Sequence, residues 1–383
     1  MPYSLLLLFA IVLSHPSTGF AQSTKQLELV RELSIGAADG PPEYAFGSLG
    51  SMAISPTGAF FLFDQSDTQL RRYDASGRFQ GLVGRAGSGP GEYRQVLGLA
   101  MHGDSLLLVF DPANGRIALF DTTGAYRRSI PFARGTFFGE KAFTVDRKGL
   151  IYVRASLNSG PTEGSGLRSQ FVRLRLDGTF VDSLPLPVEG MEGSFVLLTA
   201  DGARWSFPTR TIFNTLPTGG LVTANSAAYR ITLAPIGASP LVIERSFTPV
   251  KLTGPERDEW EAFARYFASR PGASRTSTIP RVKPAIRDLF ADPTGRIWVN
   301  VYTNAVKRAI PPRNPGDLRP LLTIREVNIY DIFNPQGAYL GRVELPPQSR
   351  LLGIHEARLW VRTEAEGGEY ILTRYRVPGL VGR

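Results

Sequence analysis

Residues 51–83 contain four short apolar segments separated by turn sequences: MAISPTG (52–58), AFFLFD (59–64), QLRRYDASG (69–77) and RFQGLV (78–83). Each segment has the length and composition of a β-strand. Pro56-Thr57-Gly58 and Ala75-Ser76-Gly77 supply the glycine that tight hairpin turns require at positive φ. The stretch therefore predicts four consecutive strands joined by short connections.

The same arrangement of strands recurs along the rest of the chain. The turns Asp74–Gly77 and Asp121–Gly124 occupy the same slot in two successive blocks, and Asp177-Gly178 fills it in a third. The later blocks span residues 97–130, 141–186, 211–247, 286–346 and 350–377. A spacing of roughly 40–60 residues fits a propeller blade of four antiparallel strands and is too long for shorter solenoid repeats. We therefore predict an all-β, six-bladed β-propeller.

The sixth block has only three strands, and the missing strand is expected at the other end of the chain. Leu27–Ile35 (LELVRELSI) is apolar and strand-like, and it precedes the first full block. The loop that follows it, Gly40–Tyr44 (GPPEY), matches Gly89–Tyr93 (GPGEY), which follows the outer strand of block one. Leu27–Ile35 should therefore be an outer strand too. Pairing it beside 369–377 would close the ring and leave no exposed sheet edge.

One helix is predicted within this β pattern, near residues 254–269. Thr253-Gly-Pro-Glu256 has the sequence of a capping box with proline in the first turn. Trp260, Phe263, Ala264 and Phe267 then share one helical face. The helix lies between the fourth and fifth blocks, on the side of the ring that carries Arg85–Tyr93. Two interpretations stay open: a lid or partner-binding helix, and a helix packed over a blade edge.

Composition narrows the possible functions. The 383 residues include no cysteine, which excludes disulfides, thiol catalysis and zinc–thiolate sites. The net charge is +9, with six Lys and 37 Arg. An anionic partner would explain this balance, but so would a general bias to arginine with dispersed surface charge. The chain lacks the clustered basic runs of nucleic-acid binders, so we predict no nucleic-acid partner.

Residues 1–21 resemble a signal peptide. The apolar run 5–13 (LLLLFAIVL) is too short to span a bilayer, and Gly19-Phe20-Ala21 offers a cleavage point before Gln22. The first residues, MPYS, lack the usual basic charge, so an uncleaved anchor or a buried strand is the alternative. The predicted organisation is a signal peptide at 1–21 and a propeller at 22–383. We expect an exported protein of the periplasm, cell envelope or extracellular space, monomeric and without a membrane span after leader removal.

Several stretches resemble the bacterial six-bladed β-propeller family of NHL-repeat-like proteins. They are 79–93 (FQGLVGRAGSGPGEY), 291–299 (ADPTGRIWV) and 331–337 (DIFNPQG). The resemblance covers nearly all of the chain after the leader. It implies a six-bladed, exported protein and assigns no activity, because most members of that family have none assigned.

Candidate binding residues follow the predicted blade geometry. Arg85, Glu92 and Tyr93 are expected at the mouth of the ring. Asp and Asn residues just past each second strand would ring the same face; they are Asp64, Asp67, Asp111, Asn114, Asn225 and Asn300. Of these we single out Asp64 and Asp111. Such residues are also ordinary turn formers, and we predict no metal site and no catalytic residue.

Two functional hypotheses remain. In the first, the chain is a non-enzymatic binding or interaction scaffold for an unknown protein or small-molecule ligand. In the second, it is a metal-dependent hydrolase or lactonase, with calcium held by the acidic ring. The protein has only His102 and His355 beyond the leader, too few for the His-rich zinc site of a propeller lyase. The first hypothesis is preferred, with no required cofactor.

Overall fold

The computed structural model describes residues 24–37, 40–132, 143–156, 169–187, 195–199, 202–207, 209–269, 274–275, 279–308, 316, 318–365 and 367–382. The predicted leader, 1–21, lies outside them. Within these residues the chain forms six antiparallel sheets of four strands each, together with small accessory sheets and one α-helix. The predicted six-bladed propeller is confirmed.

The strands are numbered in chain order. Strand β1, Val30–Ile35, precedes blade 1, which comprises β2 (Leu49–Ile54), β3 (Phe60–Asp64), β4 (Gln69–Tyr73) and β5 (Phe79–Leu82). Two short strands follow, β6 (Arg85–Ala86) and β7 (Glu92–Tyr93). Blade 2 comprises β8 (Gly98–His102), β9 (Leu106–Asp111), β10 (Arg116–Asp121) and β11 (Tyr126–Pro131). Blade 3 comprises β12 (Phe143–Val145), β13 (Ile151–Ser156), β14 (Ser169–Leu174) and β15 (Phe180–Pro185).

The second half of the ring carries longer insertions. Strands β16 (Phe195–Thr199) and β17 (Gly202–Ser206) precede blade 4, which comprises β18 (Thr211–Thr215), β19 (Gly220–Asn225), β20 (Arg230–Pro235) and β21 (Leu241–Glu244). Helix α1 (Gly254–Ala268) and β22 (Ser274–Arg275) follow, and β22 pairs with β16. Blade 5 comprises β23 (Ile286–Ala291), β24 (Ile297–Val301), β27 (Ile329–Phe333) and β28 (Tyr339–Glu344), with the hairpin β25 (Ala305–Lys307) and β26 (Ile324–Glu326) inserted between β24 and β27. Blade 6 contains β29 (Ser349–His355), β30 (Arg358–Glu364) and β31 (Tyr370–Arg376).

The N-terminal strand closes the ring as predicted. Strand β1 pairs antiparallel with β31, with Val30 opposite Arg376 and Ile35 opposite Leu372, so it is the outer strand of blade 6. The predicted strand began at Leu27, but the residues before Val30 bind a different blade. Leu27 N donates to Arg342 O of β28 at 2.7 Å, and Arg342 N donates to Lys25 O at 2.7 Å. The segment therefore fastens blade 5 before it completes blade 6.

Neighbouring blades pack through continuous apolar faces. All five residues of β3 and all five of β24 are buried, as expected for strands covered on both sides. At the seam between blades 6 and 1, the ring of Phe60 lies 4.3 Å from that of Trp360 and stacks on Tyr73 at 4.9 Å. Aromatic rings thus fill the closing seam.

The repeated Asp-x-x-Gly turns work by local hydrogen bonding. Asp121 Oδ1 accepts hydrogen bonds from Thr123 N at 2.8 Å, Thr123 Oγ1 at 2.6 Å and Ala125 N at 3.0 Å. Gly124 takes a φ of 92°, which a side chain would strain. The Thr123 hydroxyl is the largest cause lowering the pKa of Asp121 to about 2. Asp74 and Asp292 bind their turns in the same way.

Candidate functional site

One face of the ring carries the insertions. In every blade the first strand is innermost, so the connections from strand two to strand three and from one blade to the next emerge on the same side. Helix α1, the hairpin β25–β26, the sheet of β16, β17 and β22, and the short pair β6–β7 all lie in such connections. We call this side the loop face. Its variable segments on a rigid ring form the usual location for binding residues.

Helix α1 lies where the sequence placed it. The Thr253 hydroxyl accepts a hydrogen bond from Glu256 N at 3.4 Å, and Pro255 stands in the first turn. Ala264 and Phe267 are buried against Phe207 and Ile279, and Trp260 and Phe263 pack beside them. Glu259 accepts hydrogen bonds from the Thr323 hydroxyl and from Ile324 N at 2.9 Å. The helix therefore packs over the propeller and binds the hairpin at the same time.

Among the predicted site residues, Asp64 holds a loop in place. Its carboxylate accepts hydrogen bonds from Gly47 N and Ser48 N, both at 2.9 Å, and from the Ser66 hydroxyl at 2.7 Å. The buried Arg71 guanidinium lies 3.3 Å away. Burial alone would raise the pKa of Asp64, but these hydrogen bonds outweigh it and lower the pKa. The carboxylate thus fixes the entry to β2.

Asp111 has the equivalent position and the equivalent role in blade 2. It accepts hydrogen bonds from Gln95 N at 3.1 Å and from Asn114 Nδ2 at 2.6 Å, with Arg94 N at 3.3 Å. Its exposed fraction is 0%, as is that of Asp64. Both side chains lie on the loop face as predicted, but each binds its own blade and not the other. A role for them in ligand binding stays a prediction.

Arg85, Glu92 and Tyr93 come together in the β6–β7 loop. Glu92 Oε1 accepts a hydrogen bond from Arg85 Nε at 2.8 Å, and Glu92 Oε2 accepts one from Gly89 N at 2.8 Å. The Gly89 hydrogen bond, followed by that from Arg85, lowers the pKa of Glu92. Tyr93 is buried, and its hydroxyl accepts a hydrogen bond from Leu70 N at 3.1 Å. Arg85 and Glu92 therefore face solvent, whereas Tyr93 belongs to the core between blades 1 and 2.

The carboxylates do not form a metal centre in the described part of the chain: it contains no group of three or more His, Asp or Glu side chains placed to share an ion. Among the described residues, cavities do open on the loop face, two of which concern us. The smaller, about 250 Å³, opens between blades 1 and 2 beside Gln65, Thr68, Arg94 and Gln95. Neither cavity is lined by any of the five predicted site residues.

The larger cavity is a cleft of about 460 Å³ between the inserted hairpin and blade 6. Among the described residues, its walls carry four arginines and two glutamates. The described residues that line it are Val306, Arg308, Arg325, Glu326, Val327, Asn328, Pro347, Gln348, Ser349, Arg350, Arg362, Glu364 and Tyr370. This volume lies within the range of small-molecule sites, roughly 300–1,000 Å³.

Hydrogen bonds fix the floor of this cleft. Asn328 Nδ2 donates to Ser349 O at 2.7 Å, and Asn328 Oδ1 accepts from Asn300 Nδ2 at 3.0 Å. Arg362 donates to Leu49 O and lies 5.0 Å from the centre of the Tyr370 ring. The floor is therefore polar and rigid, with one aromatic side chain at its edge.

A buried network of charges supports the hairpin wall. Lys283 Nζ lies 2.7 Å from Glu256 Oε1 of α1 and 2.9 Å from Glu326 Oε1 of β26, and it donates to Thr303 O at 2.9 Å. Arg287 contacts the other oxygen of Glu326 at 2.7 Å. Burial raises the pKa of Glu256. Burial acts in the same sense on Glu326, but the charges of Arg287 and Lys283 outweigh it and lower the pKa of that carboxyl.

The sequence analysis missed both the cleft and this network. A signal was available in the connection from Val301 to Ile329 of blade 5, which is far longer than the turn from Asp64 to Gln69 in blade 1. Unusually long connections in a compact domain are often functional. The residues that line the cleft, however, come from four separate segments of the chain: 306–308, 325–328, 347–350 and 362–370. No local sequence pattern shows that these segments come together.

Comparisons with known proteins agree with this architecture. Residues 43–165 match the DUF5128 family, described as a 6-bladed beta-propeller. The match covers blades 1 and 2 and the first half of blade 3. No curated protein matches the sequence. The chain is a six-bladed β-propeller, built as the closed ring described above.

Solved structures show the same fold at low sequence identity. A member of the DUF4221 family from Bacteroides vulgatus superposes with a TM-score of 0.53 at 10% identity, over 92% of this chain and 99% of that one. A Bacteroides fragilis protein that is named as exported gives 0.51 at 10% identity, over 94% and 97%. The calcium-binding protein regucalcin from Agrobacterium tumefaciens gives a TM-score of 0.42 at 13% identity, over 92% of this chain and 95% of that one.

Helix α1 is too short and too polar to cross a bilayer, and the described residues contain no other helix that could do so.

Proposed function

We propose that this protein is an exported binding protein whose ligand occupies the cleft between the hairpin β25–β26 and blade 6. The observation that carries the proposal is the cleft itself, a concave polar site of about 460 Å³ on the loop face. The floor is held by hydrogen bonds and the hairpin wall by ion pairs, so the site is formed before a ligand arrives. Preformed sites avoid the entropic cost of ordering on binding.

The organisation of the wall supports a binding role. A hairpin inserted into blade 5 adds nothing to the propeller sheet, yet helix α1 and a buried charge network hold it in position. Buried ion pairs are weak contributors to stability. Their presence here is better explained by the need to hold Arg325 and Val327 at a defined distance from blade 6.

Export is the second part of the proposal. It rests on residues 1–21, which resemble a signal peptide, and on the Bacteroides fragilis protein of the same fold, which is named as an exported protein. A ligand met outside the cytoplasm would reach the loop face directly.

The cleft can be tested by filling it. Val306 lines the hairpin wall with 44% of its surface exposed, and Val242 on the outer strand of blade 4 is 43% exposed. Val306→Trp would occupy the cleft, whereas Val242→Trp would leave it open, at a matched exposure. A thermal-melting screen of sugars, organic acids and amino acids against both variants is expected to find compounds that stabilise the wild type and Val242→Trp but not Val306→Trp. Compounds that stabilise all three proteins equally would place binding elsewhere.

A further inference from the structure

The hairpin presents two arginines on one face. Val306 lies opposite Arg325 in the antiparallel pair of β25 and β26, so residues 306, 308, 325 and 327 share a side. That side forms the cleft wall, and Arg308 and Arg325 project from it. Glu326, between Arg325 and Val327, also lines the cleft, but its carboxylate is bound by Lys283 and Arg287. The hairpin thus brings two arginines to the cleft, while the carboxylate next to Arg325 in sequence is already engaged by two cations.

Arg325 is held by an aromatic ring, and among the described residues it has no ion pair. Its guanidinium lies 5.0 Å from the centre of the Trp260 ring on helix α1, a cation–π contact that fixes its position. Within the described part of the chain, no carboxylate forms an ion pair with it. The pKa of Arg325 is lowered to about 10, mainly by burial and next by the charge of Arg308. A cation in this setting gains stability from any anion that approaches it.

The acidic residues of the cleft do not neutralise it. Glu326 is shared between Lys283 and Arg287 at 2.9 Å and 2.7 Å. Glu364 lies 3.9 Å from Arg308, at the outer limit of an ion pair, and more than a quarter of each side chain is exposed. Such loose exposed pairs contribute little and are easily replaced.

The opposite wall adds neutral and positive groups that suit an oxyanion. Arg350 and Arg362 extend from blade 6 into the same cleft. Gln348 lies between the walls with a φ of 60°, a strained conformation for a residue with a side chain. Its carbonyl accepts a hydrogen bond from Glu364 N at 3.3 Å, which holds the turn in that conformation.

We infer that the cleft binds a small ligand carrying a carboxylate or phosphate group, which the guanidiniums of Arg308 and Arg325 clamp from the hairpin side. Arginine forks match both kinds of oxyanion through paired N–H donors. Asn328, Gln348 and Ser349 would then contact the uncharged part of the ligand. This inference rests on the proposed function and names the chemical class of its ligand.

The test uses three probes at a constant ionic strength of about 0.15 M, so that general screening is the same throughout. Glucuronate and glucose have similar sizes and differ by one carboxylate, and inorganic phosphate represents the other oxyanion. Titration calorimetry is expected to show binding of glucuronate, of phosphate or of both, and at least tenfold weaker binding of glucose. Which oxyanion binds more tightly distinguishes a carboxylate ligand from a phosphate ligand.

Variants assign the binding to the hairpin. Arg325→Gln and Arg308→Gln are each expected to weaken oxyanion binding at least tenfold, and Arg325→Lys is expected to retain part of it. Arg230→Gln is the control, because Arg230 begins the third strand of blade 4 on the same loop face, is 62% exposed and carries the same charge. Thermal melting of each variant confirms that it is folded.

Three results separate the outcomes. Oxyanion binding that Arg325→Gln and Arg308→Gln leave unchanged would overturn the inference. Binding of glucose or other neutral compounds that Val306→Trp abolishes, without oxyanion binding, would overturn it while leaving the proposed function standing. Absence of any ligand sensitive to Val306→Trp would count against both.

Discussion

Replacement of Lys283 by methionine tests whether the buried network holds helix α1 and the hairpin in place. Lys283 is fully buried between Glu256, with 1% of its side chain exposed, and Glu326, with 8%. Methionine occupies a similar volume, so little packing is lost. The two carboxylates, however, would remain in a site of low dielectric without the cation that lies 2.7 Å and 2.9 Å from them.

Removal of one partner from a buried ion pair costs about 3–5 kcal/mol. Glu326 retains Arg287 at 2.7 Å, and therefore most of the cost falls on Glu256 and the lower end of this range applies. We expect Lys283→Met to lower the free energy of unfolding by about 3 kcal/mol at pH 8. Urea denaturation followed by tryptophan fluorescence and circular dichroism measures this difference.

The loss should depend on pH in a defined direction. Burial already raises the pKa of Glu256, and removal of Lys283 raises it further. A carboxyl with a raised pKa binds its proton more tightly in the folded state, so stability falls as pH increases from its unfolded pKa, about 4.3, through the folded value. Lys283→Met should therefore be less destabilising at pH 5 than at pH 8.

Two variants serve as controls. Lys307 is exposed and does not line the cleft, so Lys307→Met should change the free energy of unfolding by no more than about 0.5 kcal/mol. Glu256→Gln combined with Lys283→Met removes the stranded charge and should recover part of the loss. In Lys283→Met, amide hydrogen exchange is expected to become faster in α1 and β26 than in the wild type, and to remain unchanged in blades 1 and 2. Equal stability of Lys283→Met and Lys307→Met at pH 8 would show that the buried network does not hold α1 and the hairpin in place.

Three further predictions concern the closure, calcium and the leader. Gly81 and Gly341 occupy equivalent bulges of their outer strands, with φ values of 127° and 149°. A Cβ atom at Gly341 would lie 2.7 Å from the Leu27 side chain, whereas a Cβ atom at Gly81 would meet no atom within 4 Å. Gly341→Ala should therefore lower the melting temperature more than Gly81→Ala and expose the N-terminal segment to protease; equal effects would contradict the docking of that segment on blade 5. Calcium at about 10 mM exceeds the weakest dissociation constants of extracellular calcium sites. It should leave the melting temperature unchanged, because backbone N–H groups already bind the carboxylates of Asp64 and Asp111. A rise of several degrees that Asp111→Asn removes would instead favour the hydrolase hypothesis. When the full chain is expressed with export machinery, mass spectrometry should find a mature protein that begins at Gln22, and retention of residues 1–21 would favour an anchor.

The blades were predictable because their turns are specified locally. Asp121 and Gly124 determine a hairpin through contacts within five residues, and the first three blocks repeat such a turn at the same place. The ring closure was predictable for a different reason, since the duplicated loops at Gly40 and Gly89 identify the strand before each as an outer strand. The start of that strand was not predictable. Leu27 is as apolar as Leu33, and nothing in the sequence separates a residue that binds blade 5 from one that binds blade 6.

The candidate site was harder to predict from the sequence than the fold. Asp64 and Asp111 repeat with the blades, and periodicity alone cannot distinguish a carboxylate that binds a ligand from one that fixes a loop. The cleft depends on Arg308 and Arg325, which share one side of the hairpin only because a long connection folds back on itself. Lys283 lies far in sequence from both Glu256 and Glu326. Tertiary packing decides these contacts, and no local pattern reports them.

The attachment of residues 25–35 to two blades bears on how the protein acquires its shape. Ser34 and Thr373, whose hydroxyls lie 3.2 Å apart, are separated by 339 positions. Bringing such distant segments together is slow, because the entropy of the intervening chain must be lost before any contact forms. A chain still emerging from the ribosome, or threading through a translocation pore, has the outer strand of blade 6 without the three strands that complete that blade. The finished ring, and with it the wall of the cleft formed by blade 6, can exist only where the entire polypeptide has been delivered.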